Sequence, residues 1–234
     1  VLQDITEPTA GSTQIPTVID CNNLTAEITG TGGGTYSWAT TGLGNITNGG
    51  SATATVDAAG SYTVTVTGAN GCTATSNTTV ADNLIAPTAG SSTLGVIDCI
   101  NLTSEITGTG GGTYLWSGPG IVSGGATNIA TVDAAGSYTV TVTADNNGCT
   151  ATSTTNVTAD LGLPSPDAGL DEVIDCNNLE IDLSGSGGET YLWSGPGIVS
   201  GGSTQTPTVN AAGTYTVTVT GANGCEDSDE TIVS

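Results

Sequence analysis

Gly60-Ser-Tyr62-Thr-Val64-Thr-Val66-Thr-Gly68-Ala-Asn70-Gly-Cys72 (residues 60–72) decides the fold of this chain. Apolar and polar side chains alternate strictly from Tyr62 to Thr67. That period of two, carried by β-branched residues, specifies a half-buried antiparallel strand with Tyr and Val inward and Thr toward water. Asn70-Gly71 supplies the positive φ of a tight turn, so the strand returns as a hairpin that starts at Cys72. The same strand, turn and cysteine recur with Tyr138 and Cys149, and again with Tyr215 and Cys225.

Working outward, each copy carries an Asp-Cys pair and a tryptophan upstream: Asp20-Cys21 and Trp38, Asp98-Cys99 and Trp116, Asp175-Cys176 and Trp193. The step from cysteine to tryptophan is identical in every copy (21 to 38, 99 to 116, 176 to 193). The upstream cysteines themselves recur at a period of roughly 78 residues, the signature of a tandem array. We place the repeats at residues 1–84, 85–162 and 163–234. The segments before the tryptophans (24–28 and its copies) read as strands, followed by Gly-rich turns. A Trp on a mid-domain strand, with short strands separated by turn signals, points to an immunoglobulin-like sandwich. The expected fold is therefore all-β, three tandem immunoglobulin-like sandwiches in an elongated array. Trp38, Trp116, Trp193, Tyr62, Tyr138 and Tyr215 are the expected core anchors. Asp57, Asp133 and Asn210 stand at one fixed step before the strand tyrosine, where Asp and Asn both close an Asx turn.

A unit of this size buries a thin core and needs a staple. Two cysteines per repeat fit a disulfide framework in an oxidising compartment. Reduced buried thiols are the alternative, and zinc fits poorly without CxxC pairs or histidines. The second cysteine lies well beyond the strand tyrosine (62 to 72, 138 to 149, 215 to 225), whereas in antibody domains it follows almost at once. The expected pairs are Cys21–Cys72, Cys99–Cys149 and Cys176–Cys225, each closing a loop of about 50 residues worth roughly 3–4 kcal/mol.

The chain has 234 residues, no Lys, Arg or His, and a formal net charge of −22. Without cations it has no basic patch for nucleic acid, and an anionic membrane repels it. No apolar run is long enough for a membrane-spanning helix. No signal peptide opens the sequence, and Val1 reads as a mature or internal start. Catalysis by the usual nucleophile–base pairs is unavailable without His or Lys. Asp82, Asp160, Asp167, Asp171 and Glu172 gather near the joints between repeats. They are candidate ligands for Ca2+, which takes six to eight oxygens; the alternative is a solvated acidic surface.

The string Tyr-Leu-Trp-Ser-Gly-Pro-Gly-Ile-Val-Ser-Gly-Gly (114–125 and 191–202), with Ala-Gly-Ser/Thr-Tyr-Thr-Val-Thr-Val-Thr and Asn-Gly-Cys, resembles the PKD-like and Ig-like tandem repeats of very large bacterial surface proteins. These include gliding and attachment adhesins exported by the type IX route. The first repeat departs most, since Trp38-Ala-Thr-Thr lacks the Ser-Gly-Pro-Gly turn. The resemblance implies an extracellular, cell-surface or secreted module without enzymatic activity. Two functions are compatible with it: a structural segment of a fibre or stalk, or an adhesin module binding a glycan or cell-surface protein ligand. The absence of a long variable loop or an aromatic patch favours the fibre. The stretch after Cys225, joined to Val1–Gly11, equals in length the stretch from Cys149 to Gly169. That register leads us to expect neighbouring repeats of a longer chain, or head-to-tail self-association into an open filament with residues 1–8 adding a strand to a neighbour.

Overall fold

The computed structural model describes residues 3–234. Val1 and Leu2, which begin the expected strand-donor segment 1–8, lie outside the described residues. Every regular element among the described residues is a β-strand. The chain divides into two compact units. One comprises Val1–Gly90, Thr109–Tyr114 and Thr141–Thr152; the other comprises Ser91–Gly108, Leu115–Val140 and Ser153–Ser234. The division does not follow the sequence repeats. By its contacts, the tip of the second repeat, with its hairpin cysteine, belongs with the first repeat.

In the first unit two four-stranded sheets face each other. One has the order Gly11–Ile15, Ala26–Thr31, Thr53–Val56, Ile46–Thr47. The other runs Val18–Asp20, Thr73–Asn83, Gly60–Thr67, Thr35–Thr40. Alternation along Gly60–Thr67 sends Tyr62, Val64 and Val66 into the space between the sheets, all fully buried. There they meet Ile19, Ile28, Trp38, Ala54, Val56 and Val80. The threonines face out and line the ladder with Thr73–Asn83, from Gly60↔Val80 to Thr67↔Thr73.

Both polar handles of the core aromatics are satisfied. Tyr62 Oη donates to the Ala58 carbonyl at 2.7 Å, and Trp38 Nε1 donates to the Ser51 carbonyl at 3.2 Å. A buried aromatic that left its O–H or N–H unpaired would lose much of what the burial gains. The second unit repeats these bonds with Tyr138 to Ala134, Trp116 to Thr127, Tyr215 to Ala211 and Trp193 to Thr204. Burial raises the phenol pKa of all three strand tyrosines; Asp57 and Asp133 add to the rise at Tyr62 and Tyr138, while Tyr215 lacks that contribution. The sequence explains the difference, because Asn210 stands where the other repeats carry Asp. Asp57 itself accepts from the Asn45 side-chain and backbone amides at 2.8 and 2.7 Å, which hold its carboxyl below the ordinary range.

The third repeat has the same two-layer core in thinner form. Its sheets are Ile181–Asp182, Thr208–Val209, Ile198–Ser200 and Thr190–Ser194, Gly213–Thr220, Glu226–Val233. Ala168, Leu183, Trp193, Val209, Tyr215, Val217, Val219 and Val233 form the core. The two strands that open the first repeat are reduced here to isolated bridges, Asp167↔Ser186 and Glu172↔Val233.

One pairing decides where the first two cysteines lie. Val18–Asp20 runs parallel to the end of Thr73–Asn83, with Val18↔Ala81, Ile19↔Asp82 and Asp20↔Asn83. Cys21 therefore follows directly from the C-terminal end of that ladder, while Cys72 precedes its N-terminal end.

Candidate functional site

The cysteines pair differently from the sequence expectation. The bridges are Cys21–Cys149 and Cys99–Cys225, with Cα–Cα distances of 4.9 and 5.0 Å. Cys72 and Cys176 carry free thiols. The expected Cys21–Cys72 bond is excluded by the parallel pairing just described. Strand residues rise by about 3.3 Å each, so the run from Thr73 to Asn83 separates the two cysteines by roughly 30 Å. A disulfide spans about 4.4–6.8 Å between Cα atoms. The Cys99–Cys149 and Cys176–Cys225 expectations fail with it: Cys99 and Cys149 are each bonded elsewhere, Cys225 is bonded to Cys99, and Cys176 is free. Each bridge instead joins the entry turn of one sequence repeat to the hairpin of the next.

The entry turn is built by its aspartate. Asp20 Oδ1 accepts from the backbone amides of Asn22 and Asn23 at 2.9 and 2.7 Å. Asp98 does the same for Ile100 and Asn101 at 3.0 and 2.6 Å, and Asp175 for Asn177 and Asn178 at 2.7 and 2.8 Å. This Asx turn aims the intervening cysteine outward. At Asp98 the Asn101 amide bond lowers the carboxyl pKa.

The hairpin is built by its asparagine. Asn147 is 1% exposed, and its side chain is fully engaged in hydrogen bonds. The amide donates to the Asn83 carbonyl (3.2 Å), Asn83 Oδ1 (3.1 Å) and the Ile85 carbonyl (2.9 Å). Its Oδ1 accepts from the Cys149 amide at 3.0 Å, and its backbone carbonyl accepts from the Cys21 amide at 3.0 Å. Asn223 repeats the set with Asp160, Gly162, Cys225 and Cys99. Gly148 and Gly224 hold φ of +69° and +75°. A Cβ at Gly148 would strike Asn22, and one at Gly224 would strike Ile100, so glycine serves both the turn and the close approach. Sequence reading identifies Asn-Gly as turn chemistry and misses its second role as the clamp on the preceding segment. The signal is present: Asn stands two residues before the hairpin cysteine in all three copies.

The expected calcium ligands do not converge. Among the described residues no group of three or more His, Cys, Asp or Glu side chains is placed to hold a metal. Asp82 lies on the exposed edge opposite Ile19. Asp160 accepts from Asn223, and Asp167 from the Gly169 amide at 2.9 Å. Asp171 accepts from the Ile232 amide at 2.9 Å, while Glu172 bridges Val233 through its backbone. Asp160, Asp167 and Asp171 thus each accept from a different protein donor, and the five residues form no shared oxygen shell.

Residues 183–234 match the family model of the PKD-like domain. The chain also superposes on a Ca2+-stabilised adhesin that helps an Antarctic bacterium reach out and bind ice. The TM-score is 0.54 and the identity 17%, over 99% of this chain and 75% of that one. This likeness establishes the immunoglobulin-like fold. A 1.5-MDa bacterial ice-binding adhesin matches with a TM-score of 0.42 and 16% identity, over 98% and 97% of the two chains. Invasin, a bacterial integrin-binding protein, gives 0.35 and 15%, over 96% and 59%. With TM-scores below 0.5 these two add no weight. A search of curated proteins found no match.

Proposed function

We propose that this chain is a structural segment of an extracellular fibre or stalk, in which successive repeats (residues 1–84, 85–162 and 163–234) are fastened to one another. The observation that carries this reading is the pairing Cys21–Cys149 and Cys99–Cys225. Disulfides used only to staple small cores would close within each repeat. Here both formed bonds stabilise a joint, each together with an asparagine clamp.

The rest of the chain agrees with that use. Disulfides persist in oxidising compartments, which suits a surface or secreted location. The absence of Lys, Arg and His removes the usual nucleophile–base partners. The joints are near-copies, as a spacer requires, whereas a binding tip is expected to break the repeat.

Two measurements test the reading. Peptide mapping of the oxidised protein should recover Cys21–Cys149 and Cys99–Cys225. A screen against glycans and cell-surface proteins should give no saturable binding. Specific, saturable binding by the folded segment would replace the spacer with the adhesin function.

A further inference from the structure

Of the two unpaired cysteines, Cys176 follows an entry turn and Cys72 follows a hairpin turn. We propose that Cys176 of one copy of this chain forms a disulfide with Cys72 of a second copy, linking copies head to tail. The proposal takes the spacer reading as its setting and goes further by naming the partner and the atoms.

The two formed bridges give the rule: the entry cysteine of a repeat bonds the hairpin cysteine of the following repeat. Cys176 is an entry cysteine, exposed and held by an Asp175 turn like those that hold Cys21 and Cys99. Cys72 is a hairpin cysteine, and its amide donates to Asn70 Oδ1 at 3.0 Å as Cys149 and Cys225 do to Asn147 and Asn223.

Half of the clamp is already assembled at the Cys72 end. Asn70 donates its side-chain amide to the Thr6 carbonyl at 2.9 Å, as Asn147 does to Ile85 and Asn223 to Gly162. Asp4 then stands where Asn83 and Asp160 stand, and bonds from Thr6 and Asn70 lower its pKa. What distinguishes this end is the uncovered surface. Cys149 and Cys225 are buried, whereas Cys72 is only partly so and Asn70 is exposed. A Cβ at Gly71 would meet nothing within 4 Å, where Gly148 abuts Asn22 and Gly224 abuts Ile100. The residue that follows Cys176 is Asn177, so Asn177 of the first copy fills the space over Gly71 of the second. The Cys176 amide then donates to the Asn70 carbonyl, as Cys21 does to Asn147.

The bond needs an oxidant. Two thiols lose two protons and two electrons, which a low-molecular-weight disulfide takes up as it is reduced to two thiols.

The test uses the whole chain in a glutathione redox buffer, with Cys72→Ser and Cys176→Ser variants. Neither substitution touches a formed bridge, and mapping Cys21–Cys149 and Cys99–Cys225 in the same samples verifies the fold. Wild type should give a non-reducing ladder in steps of the 22.7 kDa chain that collapses with reductant. Each variant alone should remain monomeric, and an equimolar mixture should stop at dimers containing Cys176–Cys72. Three results would overturn the proposal: a monomer with both thiols titratable, closure of Cys72 onto Cys176 within one chain, or variants that dimerise alone as readily as they do mixed. Bonding only when a further repeat is fused after residue 234 would also overturn it, in favour of an in-line neighbour. None of these failures removes the spacer reading, which the binding screen tests separately.

Discussion

The hairpins around Asn147 and Asn70 share the sequence Asn-Gly-Cys, the same positive-φ glycine and the same side-chain bond to the cysteine amide. Yet Asn147 is buried and donates to the Asn83 carbonyl, Asn83 Oδ1 and the Ile85 carbonyl, while Asn70 is exposed and donates to the Thr6 carbonyl. Local sequence therefore specifies the turn, and the neighbouring entry turn specifies its burial. A motif can be complete as a turn and half complete as a joint.

The contrast between the two hairpins breaks most visibly at the sulfurs. Cys149→Ser opens a bridge spanning 128 residues, worth about 5 kcal/mol on the chain-entropy account. Cys72→Ser removes a free thiol and should leave the denaturation midpoint of the monomer unchanged in chemical unfolding. Equal losses at both sites would mean that the hairpins are not distinguished by their bridges.

Next in size is the clamp. Asn147→Ala leaves the Cys149 amide and two carbonyls without their partner in a buried place, a loss of about 2–4 kcal/mol. Asn70→Ala at an exposed site should cost within about 0.5 kcal/mol. Thermal melts of the two variants, with the disulfides intact, separate these values. The glycines give a smaller contrast. Gly148→Ala adds the collision with Asn22 to the strain of φ +69°, whereas Gly71→Ala at φ +81° meets only the strain, about 1 kcal/mol. A Gly71→Ala loss as large as that of Gly148→Ala would show that the space over Gly71 is already filled.

Smallest is the response to pH. The three core tyrosines have folded pKa values above the ordinary 10.0, so the fold binds these protons more tightly than the unfolded chain does. Their contribution is complete below the unfolded value and is lost as pH rises through the folded ones. Tyrosinate absorbance should therefore rise together with unfolding. Asp98, held below 3.8, acts in the opposite direction: its contribution is complete above the unfolded value and disappears as pH falls through the folded one. Because Asp98 is solvent-exposed, the acid effect should be slight, and a large loss of stability already in mild acid would contradict this assignment.

Much of this fold could be read from residues 60–72 alone. Alternation fixed the face of the tyrosine strand, and repetition fixed the tryptophans as core, because both depend on neighbours close in sequence or on a fixed side-chain period. Bridge partners depend on direction. Spacing counts the residues between Cys21 and Cys72, but only the parallel pairing of Val18–Asp20 with Ala81–Asn83 reveals that they occupy opposite ends of one ladder. The surroundings of the acidic residues were hidden from spacing for a related reason. Asp160 and Asp171 lie near the joints in sequence, but the fold directs each carboxylate to its own amide donor.

The crossed order of the bridges has a mechanical consequence. Along the backbone, the path from Cys21 to Cys176 runs through two full repeats. Through the Cys21–Cys149 bond the covalent route is only the short stretch from Cys149 to Cys176. At about 3.4 Å per extended residue that route reaches roughly 90 Å, against roughly 530 Å for the backbone alone. Tension that tore every sheet apart would still be stopped by sulfur, with the remaining residues held as slack beside the taut path. The chain is thus wired less like a string of springs than like a strap stitched across its own folds.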